Sequence, residues 1–412
     1  MCFDWTFTMN YFRRLCAAFL ALIVGTSSYT QNIYTPSSET GTMAVPFELI
    51  APDAISSGMG EAGVATYATP NSIHWNLSKL AFLSDSGAFN PLGGKVANGI
   101  SLNYTPWIKA LVPDVHYINV AGYKLIGNDQ AVSAEVKYFQ LNNVVFGPLS
   151  IIPQKPYSTE FSAHLGYTRK LSKVFSSGIS VKYVQSNVAS NLFTDHKSNS
   201  VVIGLSLLHK THEFQLAGKT MQVTSGIQIS NIGSKMLYYT DTNSRSVMPQ
   251  NLRIGSAISM QISAKMVLVL AMDLNKLLIP SKPIYSVDTN GNHVIVHGMN
   301  PNVSALQAAK QSFYDAPGHY YNQDYELVET GVLKEEVREI NWCFGSELRI
   351  AEMLFIRTGF FYEHYTKGNR QFLTTGLGYR YGMFEVNASY LFPTAQQHPL
   401  AKTLRIGLSM TL

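Results

Sequence analysis

The chain has 412 residues, of which 14% are charged and 12% aromatic, with a net charge of +5. Its charged fraction is well below the roughly 25% of ordinary soluble domains, which argues against a soluble enzyme, while the high aromatic content excludes a disordered chain. The modest positive balance forms no basic stripe, so nucleic acid is not an expected partner.

Residues 1–30 read as a secretory signal peptide. Arg13 and Arg14 precede an apolar run from Leu15 to Val24, and small or polar residues follow from Gly25 to Ser28. The run is too short to cross a bilayer as a helix. The arginine pair lacks the flanks of a twin-arginine signal. Cys16 lies too early for a lipobox. Beyond the leader Cys343 is the only cysteine, which excludes an intrachain disulfide and a cysteine-based metal cluster.

Residues 31–97 form a lead that is poor in strand pattern. Its centre, Val45 to Phe82, is rich in Gly, Ala, Ser and Pro. Gly58, Gly60 and Gly63 fall within six positions and permit close backbone approach. Val45, Phe47, Leu49, Ile50, Trp75, Leu80 and Phe82 need cover from water. A segment of this kind is suited to lying inside a barrel, and it is expected to pack into or across the periplasmic half.

From residue 98 onward the chain alternates with period two. In one segment Val132, Ala134, Val136 and Tyr138 oppose Ser133, Glu135 and Lys137. Near the end Leu404, Ile406, Leu408 and Met410 oppose Arg405, Gly407 and Ser409. Strands are predicted at about 98–106, 115–125, 130–141, 158–170, 176–187, 198–209, 220–230, 249–260, 265–274, 339–350, 354–363, 371–380, 383–392 and 403–412. The connectors alternate short (Ile126–Asp129, Leu171–Phe175, Gln261–Ala264, Ala351–Met353) and long (Asn142–Tyr157, Asn231–Pro249, Asn275–Glu339). That sorting belongs to outer-membrane barrels, with long loops outside and short turns in the periplasm. The predicted fold is therefore all-β, a transmembrane antiparallel β-barrel of about 14 strands over 98–412, with an N-terminal plug segment.

Inside the barrel, Glu135, Lys137 and Arg405 are expected to form a polar network, and Cys343 is expected to face the lumen. Tyr138, Phe139, Phe161, Tyr167, Trp342, Phe344, Tyr362, Tyr379, Tyr381, Tyr390 and Phe392 are expected in interfacial girdles. The insertion at 275–339 predicts a hairpin about Asn290-Gly291 and a helix capped by Asn302 or Ser304. Its acidic end reads either as a solvated loop or as a docking surface.

The ordered run of Pro52-Asp53, Gly58, Gly60, Gly63 and His74-Trp75-Asn76 resembles the N-terminal signature of the PorV family, outer-membrane barrels of type IX secretion within the broader FadL-like class. One departure is visible: Leu77-Ser78 follows Asn76 where the family usually carries Pro-Ala, so the turn is less rigid. The resemblance implies an outer-membrane protein that binds the translocon SprA (also called Sov). It implies receipt of cargo with a C-terminal signal domain and delivery to the sortase PorU. The alternative is a FadL-like transporter of fatty acids or other hydrophobic molecules.

No Gly-x-Ser-x-Gly elbow, P-loop or His-Glu-x-x-His motif is present, so no enzyme class has a starting point. His74 reads as a hydrogen-bonded structural residue and Asp53 as a cap. His293 and His297 stand four apart on an expected hairpin, which does not converge them on a metal. No cofactor is expected, and outer-membrane lipid is the expected surrounding of the strands.

Overall fold

A computed structural model of the chain describes residues 41, 43–85, 87–92, 97–109, 115–141, 158–187, 197–237, 245–321, 326–394 and 399–412. The proposed signal peptide and the loop Asn142–Tyr157 lie outside the described residues.

Fourteen strands close into one antiparallel barrel. They are β1 Asn98–Pro106, β2 Val115–Ile126, β3 Gln130–Leu141, β4 Ser158–Lys170, β5 Phe175–Ser186, β6 Ser198–Lys210, β7 Lys219–Gly233, β8 Asn251–Ser263, β9 Met266–Leu277, β10 Ile340–Ile350, β11 Leu354–Tyr362, β12 Gln371–Tyr381, β13 Phe384–Pro393 and β14 Leu404–Thr411. Each pairs with its sequence neighbours, and β14 returns to β1 in register from Gly99 opposite Thr411 to Tyr104 opposite Ile406. The closed ring leaves no barrel edge unpaired, as a hydrocarbon surrounding demands.

The distribution of side chains is inverted relative to a soluble sandwich. Outward residues such as Val136, Leu165, Ile179, Leu205 and Leu377 are apolar and exposed. Inward residues such as Ser133, Glu135, Lys137, His164 and Lys182 are polar and buried. Only a bilayer makes that arrangement favourable, since apolar atoms then face lipid and the polar set lines an enclosed lumen.

The girdle expectation fails at Phe139. It shares the inward parity of Lys137, is buried, and stacks on Phe47 of the lead at 5.9 Å. Tyr167, Phe344, Tyr379, Tyr381 and Phe392 are exposed on the outer wall, and Trp342 opposes Tyr362 near the long-loop ends of β10 and β11.

Local features depart from regular pairing in β7 and in the turn that precedes it. In β7, the stretch from Ile229 to Ile232 spans one residue more than Leu205 to Ile203 of β6 opposite, which makes a bulge. Within it Asn231 adopts φ 61° and turns its side chain inward to Lys182 Nζ (2.9 Å) and Pro249 O (2.9 Å). At the opposite, short-turn end of β7, a short strand Phe214–Leu216 pairs with Lys219–Met221 and extends the turn between β6 and β7.

The described residues of the insertion after β9 carry secondary structure of their own. Ile284–Val287 pairs with His293–His297 about the Asn290-Gly291 turn. A helix spans Ala305–Gln311 with Ser304 as its N-cap, and a small hairpin pairs His319–Tyr321 with Leu327–Glu329. The acidic end is a helix, Val332–Arg338, and not a solvated loop. Its carboxylates explain the difference. Glu335 and Glu336 are buried, and they accept from the backbone N–H groups of Gly318 (2.7 Å) and Ala316 (2.9 Å).

Candidate functional site

The lumen is filled by the lead itself. Ala44 N donates to Val247 O at the long-loop mouth, and Phe82 lies under Lys170 and Lys210 at the short-turn mouth. Beyond it Arg349 donates to Phe89 O (2.9 Å) and Arg380 to Pro91 O. The lead thus runs the full height of the barrel. The expected placement in the short-turn half holds only for its later part. Val45, Phe47 and Ile50 sit among Val115, Tyr117, Val184 and Met248 near the long-loop ends, because that is where the wall offers apolar cover.

The glycine-rich step meets a matching set of wall glycines. Gly60 has φ +65° and its backbone lies against β10 and β11. A methyl group built on wall residue Gly359 would stand 2.1 Å from Gly60 N, and one on Gly345 would stand 2.6 Å from Met59 O. Gly58 and Gly376 face each other in the same way, with a contact of about 3.1 Å. The plug is pinned here by Thr374 Oγ1, which accepts from Gly60 N (2.9 Å), and by Asp273, whose Oδ2 accepts from Gly63 N (2.7 Å) and Val64 N (2.8 Å). A carboxylate holding two adjacent N–H groups is a strong, directional clamp.

The remaining signature residues form one packed unit. Pro52 precedes Asp53, which caps a single helical turn by accepting from Ser56 N (2.8 Å) and also accepts from Trp75 Nε1 (2.6 Å). Gly63 lies on the Trp75 ring, where a methyl group would approach to 2.5 Å. Arg253 of β8 covers that ring from the wall at 4.6 Å. Asn76 caps the next turn through Ser78 N (3.0 Å) and ties it to β6 by donating to Leu207 O (3.0 Å). Leu77, which stands where a proline was expected, packs against Gly166 and Gly178, so the departure from the family pattern is used as a contact.

Around His74 the plug and the wall share a buried charge cluster. Glu48 Oε2 receives Lys137 Nζ (3.0 Å) and Lys182 Nζ (2.6 Å), and Lys137 also donates to His74 Nδ1 (3.0 Å). Glu135 lies 3.7 Å from Lys137 and pairs with His164 (3.3 Å) and Asn119 (2.8 Å). Two carboxylates balance two ammonium groups, which is the condition for burying charge without a large penalty. The cluster reaches from β2 to β5, and Glu48 is the one member supplied by the lead that carries charge. No sequence motif marks Glu48, Lys182 or Asp273. For Lys182 and Asp273 a lone inward charge on a strand was the only available signal. Arg405, the other expected lumen residue, stands 3.7 Å from Glu61.

A second charged group lines the short-turn half. Glu347 holds Arg349 and Arg357 at 2.6 Å each, and Arg357 reaches Asn387 (2.7 Å) and Tyr67 OH of the lead (3.2 Å). Beside His74 lies a cavity of about 10 Å³ bordered by Glu48, Lys182 and Arg253. It accommodates about one water and no acyl chain. Cys343 is buried against Met59 and faces the lumen, as its parity requires.

At the long-loop rim the insertion is tied down by ion pairs. Lys276 meets Glu336 (2.9 Å) and Glu339 (2.7 Å), and Lys367 meets Glu335 (2.7 Å) and Glu339 (3.1 Å). Burial works against the charge on Lys367, but Glu339 and Glu335 more than offset it and raise its pKa. Burial raises the Glu336 carboxyl. Burial, then Arg338 and Lys367, push His364 down to about 4. His293 and His297 do not converge, and His297 instead stacks on His319 at 3.7 Å.

Solved structures similar to this chain include the toluene transporter TodX of Pseudomonas putida (11% identity, 91% of this chain and 99% of that one, TM-score 0.46). The toluene transporter TbuX of Ralstonia pickettii (11%, 89% and 98%, TM-score 0.42) and a FadL homologue of Pseudomonas aeruginosa (11%, 90% and 99%, TM-score 0.41) are others. The likeness is too distant to assign a ligand, and the barrel assignment rests on the strand pairing itself. No curated protein matches the chain. The family model described as "Type IX secretion system protein PorV" matches residues 35–284, well over half of the 412. With that match and a closed barrel whose outer wall is built for lipid, the chain belongs to the PorV family and is an outer-membrane component of type IX secretion.

Proposed function

We propose that this barrel is an adaptor that makes and breaks no bond. It would bind the SprA (Sov) translocon, receive proteins carrying the type IX C-terminal signal domain, and pass them to the PorU sortase complex. The observation that supports this reading is the filled lumen. Residues Gly41 to Leu92 run from one mouth to the other and are clamped to the wall by Asp273, Thr374 and the Glu48 cluster. A lumen packed in this way gives a folded protein or a fatty acid no room, so the work falls to the surfaces, above all the insertion at the long-loop rim. On this reading residues 31–97 are a permanent plug, and Pro52, Asp53, Gly58, Gly60, Gly63, His74, Trp75 and Asn76 are its locking residues. A deletion strain tests the function. Signal-domain cargo should be made but fail to reach the surface or the medium, while growth on long-chain fatty acids stays normal. Normal cargo export with lost fatty-acid uptake would replace the adaptor with a FadL-like transporter.

A further inference from the structure

The helix Val332–Arg338 has its polarity reversed. Glu335 and Glu336 face inward onto Lys367 and Lys276, while Leu333 is 79% exposed, Val337 51% and Val332 43%. Leu333 and Val337 stand four residues apart and so share one flank, and Lys334 and Arg338 share the next. The helix sits at a defined height. Its chain enters β10 at Ile340, and two residues further along, Trp342 opposes Tyr362 on the outer wall with Phe344 exposed below. Trp and Tyr at strand ends mark the membrane interface. It also lies on the outer side of the rim: Lys276 has the outward parity of Met272 and Leu274, yet is buried under Glu336, Glu339 and Phe313.

We propose that this helix is an interfacial lipid contact, a second membrane-binding element beyond the barrel wall. Leu333 and Val337 enter the acyl boundary of the outer leaflet, and Lys334 and Arg338 meet lipid phosphate. Two features select lipid over protein. The apolar flank continues the lipid-facing surface of β10 from the interfacial aromatics upward, and the neighbouring basic flank has the charge that phosphate-bearing head groups attract. The ion pairs to Lys276 and Lys367 hold the helix in this pose whether or not lipid is present, so the contact is pre-organised and anchors the insertion at a fixed depth.

Spin labels test the depth. Leu333→Cys and Val337→Cys are each made in a Cys343→Ala background, labelled with a nitroxide and reconstituted in vesicles of phosphatidylethanolamine and phosphatidylglycerol. Leu377→Cys on the outer wall of β12 is the lipid reference, and Asn290→Cys at the hairpin tip is the water reference. Because Leu333 and Val337 are exposed, labelling there leaves the fold intact, and the Leu377 label reports barrel insertion independently. The ratio of oxygen to nickel-chelate collisions at Leu333 and Val337 is expected to approach that at Leu377, several-fold above Asn290. The double change Lys334→Glu, Arg338→Glu should lower it several-fold in the same vesicles. Ratios at both sites equal to Asn290 would overturn the proposal. So would labels that are wet in vesicles of the purified protein but shielded in native outer membranes, since the flank would then belong to a protein partner.

Discussion

Replacing Gly359 with alanine isolates the fit between plug and wall. The added methyl group would lie 2.1 Å from Gly60 N and 2.2 Å from Met59 C, both backbone atoms with no rotamer to escape into. Overpacking of this kind costs about 1–3 kcal/mol, and a contact this short belongs at the upper end. Displacing Gly60 also breaks the hydrogen bond from its N–H to Thr374 Oγ1, leaving a buried donor unpaired at a further cost of about 1–3 kcal/mol. The docked plug is therefore expected to lose about 4–6 kcal/mol, enough to shift its docked population by several hundredfold or more. The ladder between β10, β11 and β12 is untouched, so the barrel itself should keep its heat-modifiable migration on a gel. Limited proteolysis reads the difference: the wild-type protein should resist cutting between Gly58 and Gly63, and Gly359→Ala should be cut there. Gly345→Ala, at 2.6 Å from Met59 O, should act less strongly, and Gly376→Ala, at 3.2 Å from Gly58 Cα, least of all. Equal protection in all three variants would refute the idea that wall glycines set the plug's seat.

Glu48→Gln leaves Lys137 and Lys182 buried beside each other without their shared carboxylate, and should lower plug stability by about 3–5 kcal/mol, read as the same proteolytic opening. Lipid-phase thiol reagents should label Cys343 poorly in intact membranes, and strong labelling would mean that β10 is out of register by one residue. His364 titrates in the native state at about 4, below the ordinary histidine value near 6.5. As pH falls through that window an opened loop takes up the proton and the native loop does not, so native stability is complete above it and declines across it. Amide exchange over Glu363–Arg370, corrected for its intrinsic pH dependence, should report more frequent opening from pH 6.5 toward 4. An opening equilibrium unchanged across that range would remove His364 as the cause.

Much of the barrel was legible because a membrane strand has a period of two and no competing signal. The parity of Val132 against Glu135, and of Leu404 against Arg405, assigned the faces of β3 and β14 directly. Parity also located Cys343. It was misapplied at Phe139, where aromatic character suggested the interface although its place next to Tyr138 already put it inward. The plug was recognisable from its glycines, but its height was not. That height depends on Val115, Tyr117 and Met248 forming an apolar nest at the long-loop mouth, a contact between distant parts of the chain. Acidic residues at the end of the insertion suggested solvation. Only the approach of Lys276 and Lys367, about 60 and 30 residues away in sequence, turns Glu335 and Glu336 inward. Asp273 shows the same limit from the other side. One inward carboxylate on β9 carries no sequence signal until Gly63 and Val64 arrive beside it.

The lead that fills the lumen precedes the first strand of the ring, and the ring is sealed by pairing its last strand to that first one. The simplest route of assembly therefore seats the lead before the ring closes. Threading the lead through a finished ring would carry Glu48 through the enclosed lumen before it meets Lys137 and Lys182, and would draw the bulky Trp75 past β8. Folding the strands around a lead already in place requires neither passage. On that route the pairing of β14 with β1 is the contact that closes the ring around the lead. A chain that fails to seat its lead should stall as an open sheet, with bare strand edges exposed to the machinery that disposes of unfinished outer-membrane proteins.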